Sequence, residues 1–550
     1  MTAELVIRGG TVYDGSGAPG RTADVTIAGG VIREIGPNLR GDRELDASGC
    51  AVAPGFIDIH THYDAQVFWD PALRPSSYHG VTTVIAGNCG FAIAPTRPEH
   101  HDVIVGTLEN VEDMDPATLS AGIAWGFETF PEYLEAVRGL GTVLNYGVYI
   151  GHSALRLYVM GDAAYERAAT PEEIERMSRL VREAIADAGA MGFSTSFSYA
   201  HRGVDGKPVP SRYAAADEVE ALFLAAGEAG KGVVLITPGE QCSYADVYEW
   251  QPRVGRPFTY PLFAAPGGRH LEPVELHQRG LAHGANVWPQ VTPRPLTMLF
   301  TMADAYSLNT GSVFGELLKV SRPVRLAAYR DPEWRALAAA DLEHSQMKPR
   351  WETFEVSESE RFPELQGRRV TDLAQERGCS PLDVMCELSV AEDLATRFRA
   401  YIANDDADAV GSLLTREHVI LGLSDAGAHV DQLCDAPLYT DLLGTWVRER
   451  QVMPLERAVR KSSGEAADMF GIVRRGYLRE GYWADVCVFD PGTVGPGPVR
   501  RVRDFPADAE RLTAEEPTGV RHVLVNGIPI RVDGAQLETA ERPGMRPELG

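Results

Sequence analysis

Eight short apolar runs, each the length of a buried strand, recur between residues 52 and 423. They cover 52–59, 81–86, 143–150, 192–197, 233–237, 258–263, 286–291 and 419–423. Near-continuous apolar character marks parallel strands that are covered on both faces. Helix-like stretches separate them, including 170–190, 215–229 and 272–283. Thr170-Pro171-Glu172-Glu173 reads as a helix start, with an N-cap, a proline at the first helical position and acids in the first turn. Eight strands alternating with helices predict an α/β fold, a (β/α)8 TIM barrel.

The two ends of the chain read differently. Residues 4–50 and 479–533 are short β-like runs separated by turns such as Gly9-Gly10, Gly29-Gly30 and Asn526-Gly527. The expected organisation is one small β-sandwich built from both termini, residues 1–50 and 471–550. A barrel domain over 51–470 is inserted between them. The connection between the seventh and eighth strands is too long for a simple crossover. An insertion is therefore expected at about 295–415, with helices at 370–377 and 381–388, packing over the barrel mouth.

Composition narrows the function classes. The formal net charge of -25 argues against nucleic acid as a partner. No run of about 18 apolar residues is present, so no membrane span is expected. Seven cysteines (50, 89, 242, 379, 386, 434 and 487) show no Cys-x-x-Cys spacing, which fits a reducing compartment. The first residues lack the basic and apolar regions of a signal peptide. A cytoplasmic protein acting on a small molecule is expected, with a homo-oligomer open.

The chemistry should gather where barrel strands end. The first strand runs Pro54-Gly55-Phe56-Ile57-Asp58-Ile59-His60-Thr61-His62. Alternate residues of an extended chain point the same way, so His60 and His62 should project together as half of a metal site. The second strand ends in Gly87-Asn88-Cys89-Gly90, where Cys89 is either a thiolate ligand or a small buried hydrophobe. The eighth ends in Ser424-Asp425-Ala426-Gly427-Ala428-His429. A carboxylate there can take a proton from water and deliver it to a leaving group.

The first-strand stretch resembles the signature of the amidohydrolase superfamily, and Gly481-Tyr482-Trp483-Ala484-Asp485-Val486 and Val525-Asn526-Gly527 resemble its closing motifs. Gly-Asn-Cys-Gly after His79-Gly80-Val81-Thr82-Thr83-Val84 resembles the D-aminoacylase branch, as does Gly151-His152-Ser153-Ala154-Leu155-Arg156. The resemblance implies a barrel with a terminal β-sandwich, Cys89 as a metal ligand in place of a modified Lys, and Asp425 as catalytic acid/base and metal contact. It implies pocket roles for His152 and Arg156; the alternative is a hydrogen-bonded core pair. Tyr199 and His201 are either pocket residues or an exposed loop.

The chain also departs from the branch. The histidines expected at the ends of strands 5 and 6 are missing; Thr237 stands at the first place, and Phe258–Phe263 contains none. The branch's Tyr-Pro-Tyr on strand 7 becomes Trp288-Pro289-Gln290, and no Arg follows Asp425 closely. The expected metal set is therefore His60, His62, Asp425 and Cys89, or a water in place of the thiolate, holding one zinc per chain, with another divalent metal as the alternative. Donation from Glu240 or His270 stays open. Trp288, Arg294 and His429 join the pocket set. The expected activity is metal-dependent hydrolysis of an amide or cyclic amide. The alternatives are a lyase, decarboxylase or isomerase on the same scaffold, or a non-catalytic protein.

Overall fold

The computed structural model describes residues 3–112, 114–203, 206–303, 305, 308, 311–345, 348–538 and 542–550. The chain divides into two compact units. The first comprises Met1–Arg294, Ala407–Val430 and Cys434–Gly550, and the second Pro295–Asp406 and Asp431–Leu433.

The first unit holds eight parallel strands: β1 (Phe56–Asp58), β2 (Val81–Ala86), β3 (Asn145–Val148 continuing as Ile150–Gly151), β4 (Gly192–Ser196), β5 (Val233–Thr237), β6 (Phe258–Pro261), β7 (Val287–Val291) and β8 (Ile420–Leu421). Neighbours pair in chain order, from Ile57 beside Thr83 to Gln290 beside Ile420. The circuit returns to β1 beyond the strand ends, through a parallel bridge between Thr61 and Ala426. Ile57, Ile59, Ile85, Tyr149, Leu235, Trp288 and Ile420 belong to one buried apolar cluster. Alternate positions such as Phe56, Val84, Phe193, Val234 and Val291 belong to another, shared with the surrounding helices. This two-faced burial is why the strands read as continuous apolar runs.

Both ends of the chain enter one nine-stranded sheet. Ala51–Pro54 lies between Ala3–Val12, parallel, and Val486–Phe489, antiparallel. Here the structure corrects the expected first strand over 52–59: its first half belongs to the terminal sheet, and only the second half to the barrel. The pivot is Gly55, where an added Cβ would lie 2.1 Å from the Thr82 side chain. A buried network ties sheet to barrel. Asp485 accepts hydrogen bonds from Arg475, from Asn145 Nδ2 at 3.1 Å and from the Asn526 amide at 2.8 Å.

The second unit has its own core, including Phe300, Phe314, Tyr329, Phe354, Met385 and Phe398. Its antiparallel sheet places Arg397–Ala403 between Leu296–Thr301 and Glu355–Glu358. The predicted helices are present as Val370–Arg377 and Pro381–Ala391. The unit leaves out the helix Ala407–Leu414, which was expected within the insertion and groups with the barrel instead. No helix among the described residues is long and apolar enough to cross a membrane.

Candidate active site

The ends of β1, β2, β5, β7 and β8 converge on one buried cluster. The backbone sets it up. The His62 amide donates to the Ala426 carbonyl at 2.8 Å, and Ser424 Oγ donates to the His60 carbonyl at 2.9 Å. Asn88 Nδ2 donates to the carbonyls of Thr61 (3.0 Å) and Ile85 (2.9 Å), pinning the end of β2 to that of β1. Gly427, at φ 97°, packs its Cα against the His62 backbone, where a Cβ would lie 2.7 Å from the carbonyl carbon. Cys89, Leu423, Asp425 and His429 all take left-handed φ values, between 44° and 64°. Such backbone costs about 1–3 kcal/mol per non-glycine residue and tends to cluster at functional sites.

The side chains then meet. His60 Nε2 lies 3.2 Å from Asp425 Oδ1 and 3.6 Å from Cys89 Sγ. His62 Nε2 lies 3.8 Å from the same Asp425 oxygen. One donor atom each from His60, His62 and Cys89 fits within 4.8 Å. Donors around a tetrahedral zinc, at about 2.0–2.3 Å from it, sit roughly 3.3–3.7 Å apart. His60 Nδ1 is held by Gln290 Oε1 at 2.6 Å, which leaves Nε2 as the lone-pair nitrogen. Thr237 Oγ1 donates to Cys89 Sγ at 3.4 Å. The donor set therefore fits a divalent metal.

Electrostatics agree. Burial lowers His60 to about 4, with the Gln290 contact opposing it, and burial with neighbouring histidines takes His62 well below its ordinary value. Both imidazoles are thereby neutral, the form that binds metal. Burial raises Asp425 to about 6, with His429 opposing it. Burial, Asp425 and Asp64 raise Glu112 well above its usual range, and burial and Glu112 do the same to Cys89. All three acids are displaced in the direction that a nearby cation reverses.

The remaining predicted residues separate. His429 reaches the cluster's edge, with Nε2 3.7 Å from Glu112 Oε2. His201 packs edge-on against Phe91, and its Nδ1 lies 2.6 Å from Ser196 Oγ. Tyr199 is 61% exposed, its hydroxyl 3.4 Å from Glu240 and its ring under Arg212. His152 and Arg156 are bound in the core by Glu218, with His152 Nε2 2.9 Å from Oε1. Arg294 pairs with Asp435 at 2.8 Å and lies 3.9 Å from Asp441. Trp288 sits within the barrel, one inward position below Gln290, stacked on His418. His270 contacts the Ala265 carbonyl at the start of its helix.

Two residues of the cluster were not expected from the sequence. Gln290 lies in the Trp-Pro-Gln run, and period-2 alternation from Trp288 would have found it. Glu112 ends the helix His101–Glu112 in an acidic stretch that reads as a solvated helix end, yet it is buried 3.3 Å from His62 Nδ1.

Known proteins resemble this chain in sequence and fold. The profile of the amidohydrolase family matches residues 43–530. A D-aminoacylase of Alcaligenes xylosoxydans xylosoxydans is 32% identical, with the alignment covering 96% of this chain and 94% of that one. The structure of a D-aminoacylase, studied for one-metal activation and second-metal attenuation of its binuclear centre, superposes with a TM-score of 0.67 at 26% identity, over 99% of this chain and 100% of that one. That of an N-acyl-D-glutamate deacylase from Bordetella bronchiseptica, complexed with zinc and a phosphonate inhibitor, gives 0.68 at 26% identity, over 99% of each. The chain belongs to the amidohydrolase family. Within it, the chain is a member of the D-aminoacylase branch, a metal-dependent hydrolase acting on carbon–nitrogen bonds.

Proposed function

We propose that this protein hydrolyses the amide or cyclic amide bond of a small molecule at a single zinc held by His60, His62, Cys89 and Asp425. The reading is carried by the donor atoms of His60, His62 and Cys89, which lie within 4.8 Å of one another, with Asp425 Oδ1 3.2 Å from His60 Nε2 and 3.8 Å from His62 Nε2. When bound, the metal supplies Lewis acidity toward the carbonyl and the attacking water. Gln290 fixes the His60 ring through Nδ1. The Asp425 carboxylate accepts the proton of the attacking water as the new C–O bond forms. It then returns that proton to the departing nitrogen as the C–N bond breaks. The products are a carboxylic acid and an amine, or one ring-opened molecule that carries both groups. His429, His201 and Tyr199 line the approach.

The substrate departs from that of the relatives. Arg294 and Arg156 are each committed to buried carboxylates, so neither is placed to read a substrate carboxylate. With those two committed, Arg212 over the Tyr199 ring is the guanidinium left near the approach, and we infer that neutral amides and lactams are cleaved in preference to N-acyl-D-amino acids. The seven cysteines, all free, support a cytoplasmic setting.

Metal analysis with turnover tests this. Wild type should hold about one zinc per chain, and His60→Ala/His62→Ala should hold none. An N-acyl-D-amino acid carboxamide should be cleaved with higher kcat/KM than the free acid. Absence of metal after reconstitution would overturn the mechanism. Preference for the free acid would overturn the substrate reading.

A further inference from the structure

We propose that Glu112 is a positioning residue of the metal centre: it holds the His62 ring so that Nε2 faces the ion, and it adds negative charge behind that ligand. This rests on the reading of His60 and His62 as ligands.

The two histidines are built alike. His60 presents Nε2 to Asp425 and Cys89, while its Nδ1 is fixed by Gln290. His62 has one carboxylate at each nitrogen, Asp425 Oδ1 at 3.8 Å from Nε2 and Glu112 Oε1 at 3.3 Å from Nδ1. Only the Nε2 side converges on the Asp425 oxygen that also faces His60. Nδ1 is therefore the nitrogen left to face Glu112, in ion-pair contact with that carboxylate. A ligating histidine usually donates its other N–H to a carboxylate or carbonyl, which fixes its tautomer and raises its basicity.

The placement of Glu112 supports a role of this kind. It ends the helix His101–Glu112, where the helix dipole disfavours a carboxylate, and it is 3% exposed. Its ion-pair contacts among the described residues are His62 and His429, with no Lys or Arg. A carboxylate so buried needs a positive partner. Its carbonyl also accepts from the His429 amide at 2.6 Å, clasping this helix to the loop that carries Asp425.

The test compares wild type, His60→Ala/His62→Ala, Glu112→Gln and Glu112→Ala. Zinc affinity is read by competition with a chromophoric chelator, ligand geometry by the visible spectrum of the cobalt form, and folding by thermal unfolding of metal-free protein. Glu112→Ala should weaken zinc binding by about 10–100-fold and alter the cobalt spectrum. Glu112→Gln keeps an acceptor for Nδ1–H but loses the charge, so it should fall between Glu112→Ala and wild type. A merely structural role would lower metal-free unfolding in both variants and leave the affinity of the folded protein unchanged, which would overturn the proposal. Wild type that binds no zinc would instead sink the ligand reading beneath it.

Discussion

Asp425 combines partial burial, a left-handed backbone and contact with both histidines, and each feature narrows what can replace it. Asparagine has its shape and tolerates φ 44°, but cannot take a proton. Asp425→Asn should therefore leave the fold intact and lower kcat by roughly 10²–10⁴-fold, read by steady-state kinetics beside circular dichroism. That His60, His62, Cys89 and Asp425 would come together was legible because each stands where a recognisable strand ends. Trp288 was expected in the pocket and sits a layer below the cluster, because a strand motif gives the face of a residue but not its depth. The inward position one layer higher is Gln290, and that is the one that touches His60. Glu112 was illegible because its depth depends on how a loop helix packs, and local sequence does not encode that.

At the scale of elements, the helix Ala216–Glu228 is fastened to the barrel by Glu218, which is fully buried against His152 and Arg156. Glu218→Gln would leave the Arg156 guanidinium buried without its counter-charge. The expected loss is about 3–5 kcal/mol of stability, measured by urea denaturation. Burial raises the Glu218 carboxyl, but the His152 and Arg156 contacts win and hold it below its ordinary value. Burial holds His152 below its own. Both groups favour the folded state above their unfolded pKa values, and both contributions shrink as pH falls through the lowered folded ones. The urea midpoint of wild type should accordingly drop on acidification below about pH 6.5, and the share of that drop that belongs to Glu218, below about pH 4.3, should be absent in Glu218→Gln. The eight strands were legible from their apolar runs. The division of the first at Gly55 was not, because proline and glycine leave the periodicity on either side unchanged while the chain crosses from one sheet to another.

For the whole molecule, the network of Asn145, Arg475, Asp485 and Asn526 joins β3 to the terminal sheet with no exposed member among Arg475, Asp485 and Asn526. Asp485→Ala should strand the Arg475 charge and cost roughly 3–5 kcal/mol, and the barrel and terminal sheet should then unfold in two calorimetric steps rather than one. One transition of unchanged midpoint would show that the two parts are coupled elsewhere. That both termini build one sheet was legible from their matching turn-rich composition. The pairing order was not, because strands at the two ends of a long chain leave no trace of each other in local sequence.

The same pairing sets a timetable. Ala51–Pro54 acquires its antiparallel neighbour only when Val486–Phe489 has been made, 435 residues after Pro54 by chain number (489 less 54). At roughly 5–20 residues per second, a ribosome leaves that apolar edge open for about 20–90 s. During synthesis the first sheet is thus a template waiting for its last strand. Crowded polysomes are where a foreign strand would have the best chance of taking that place.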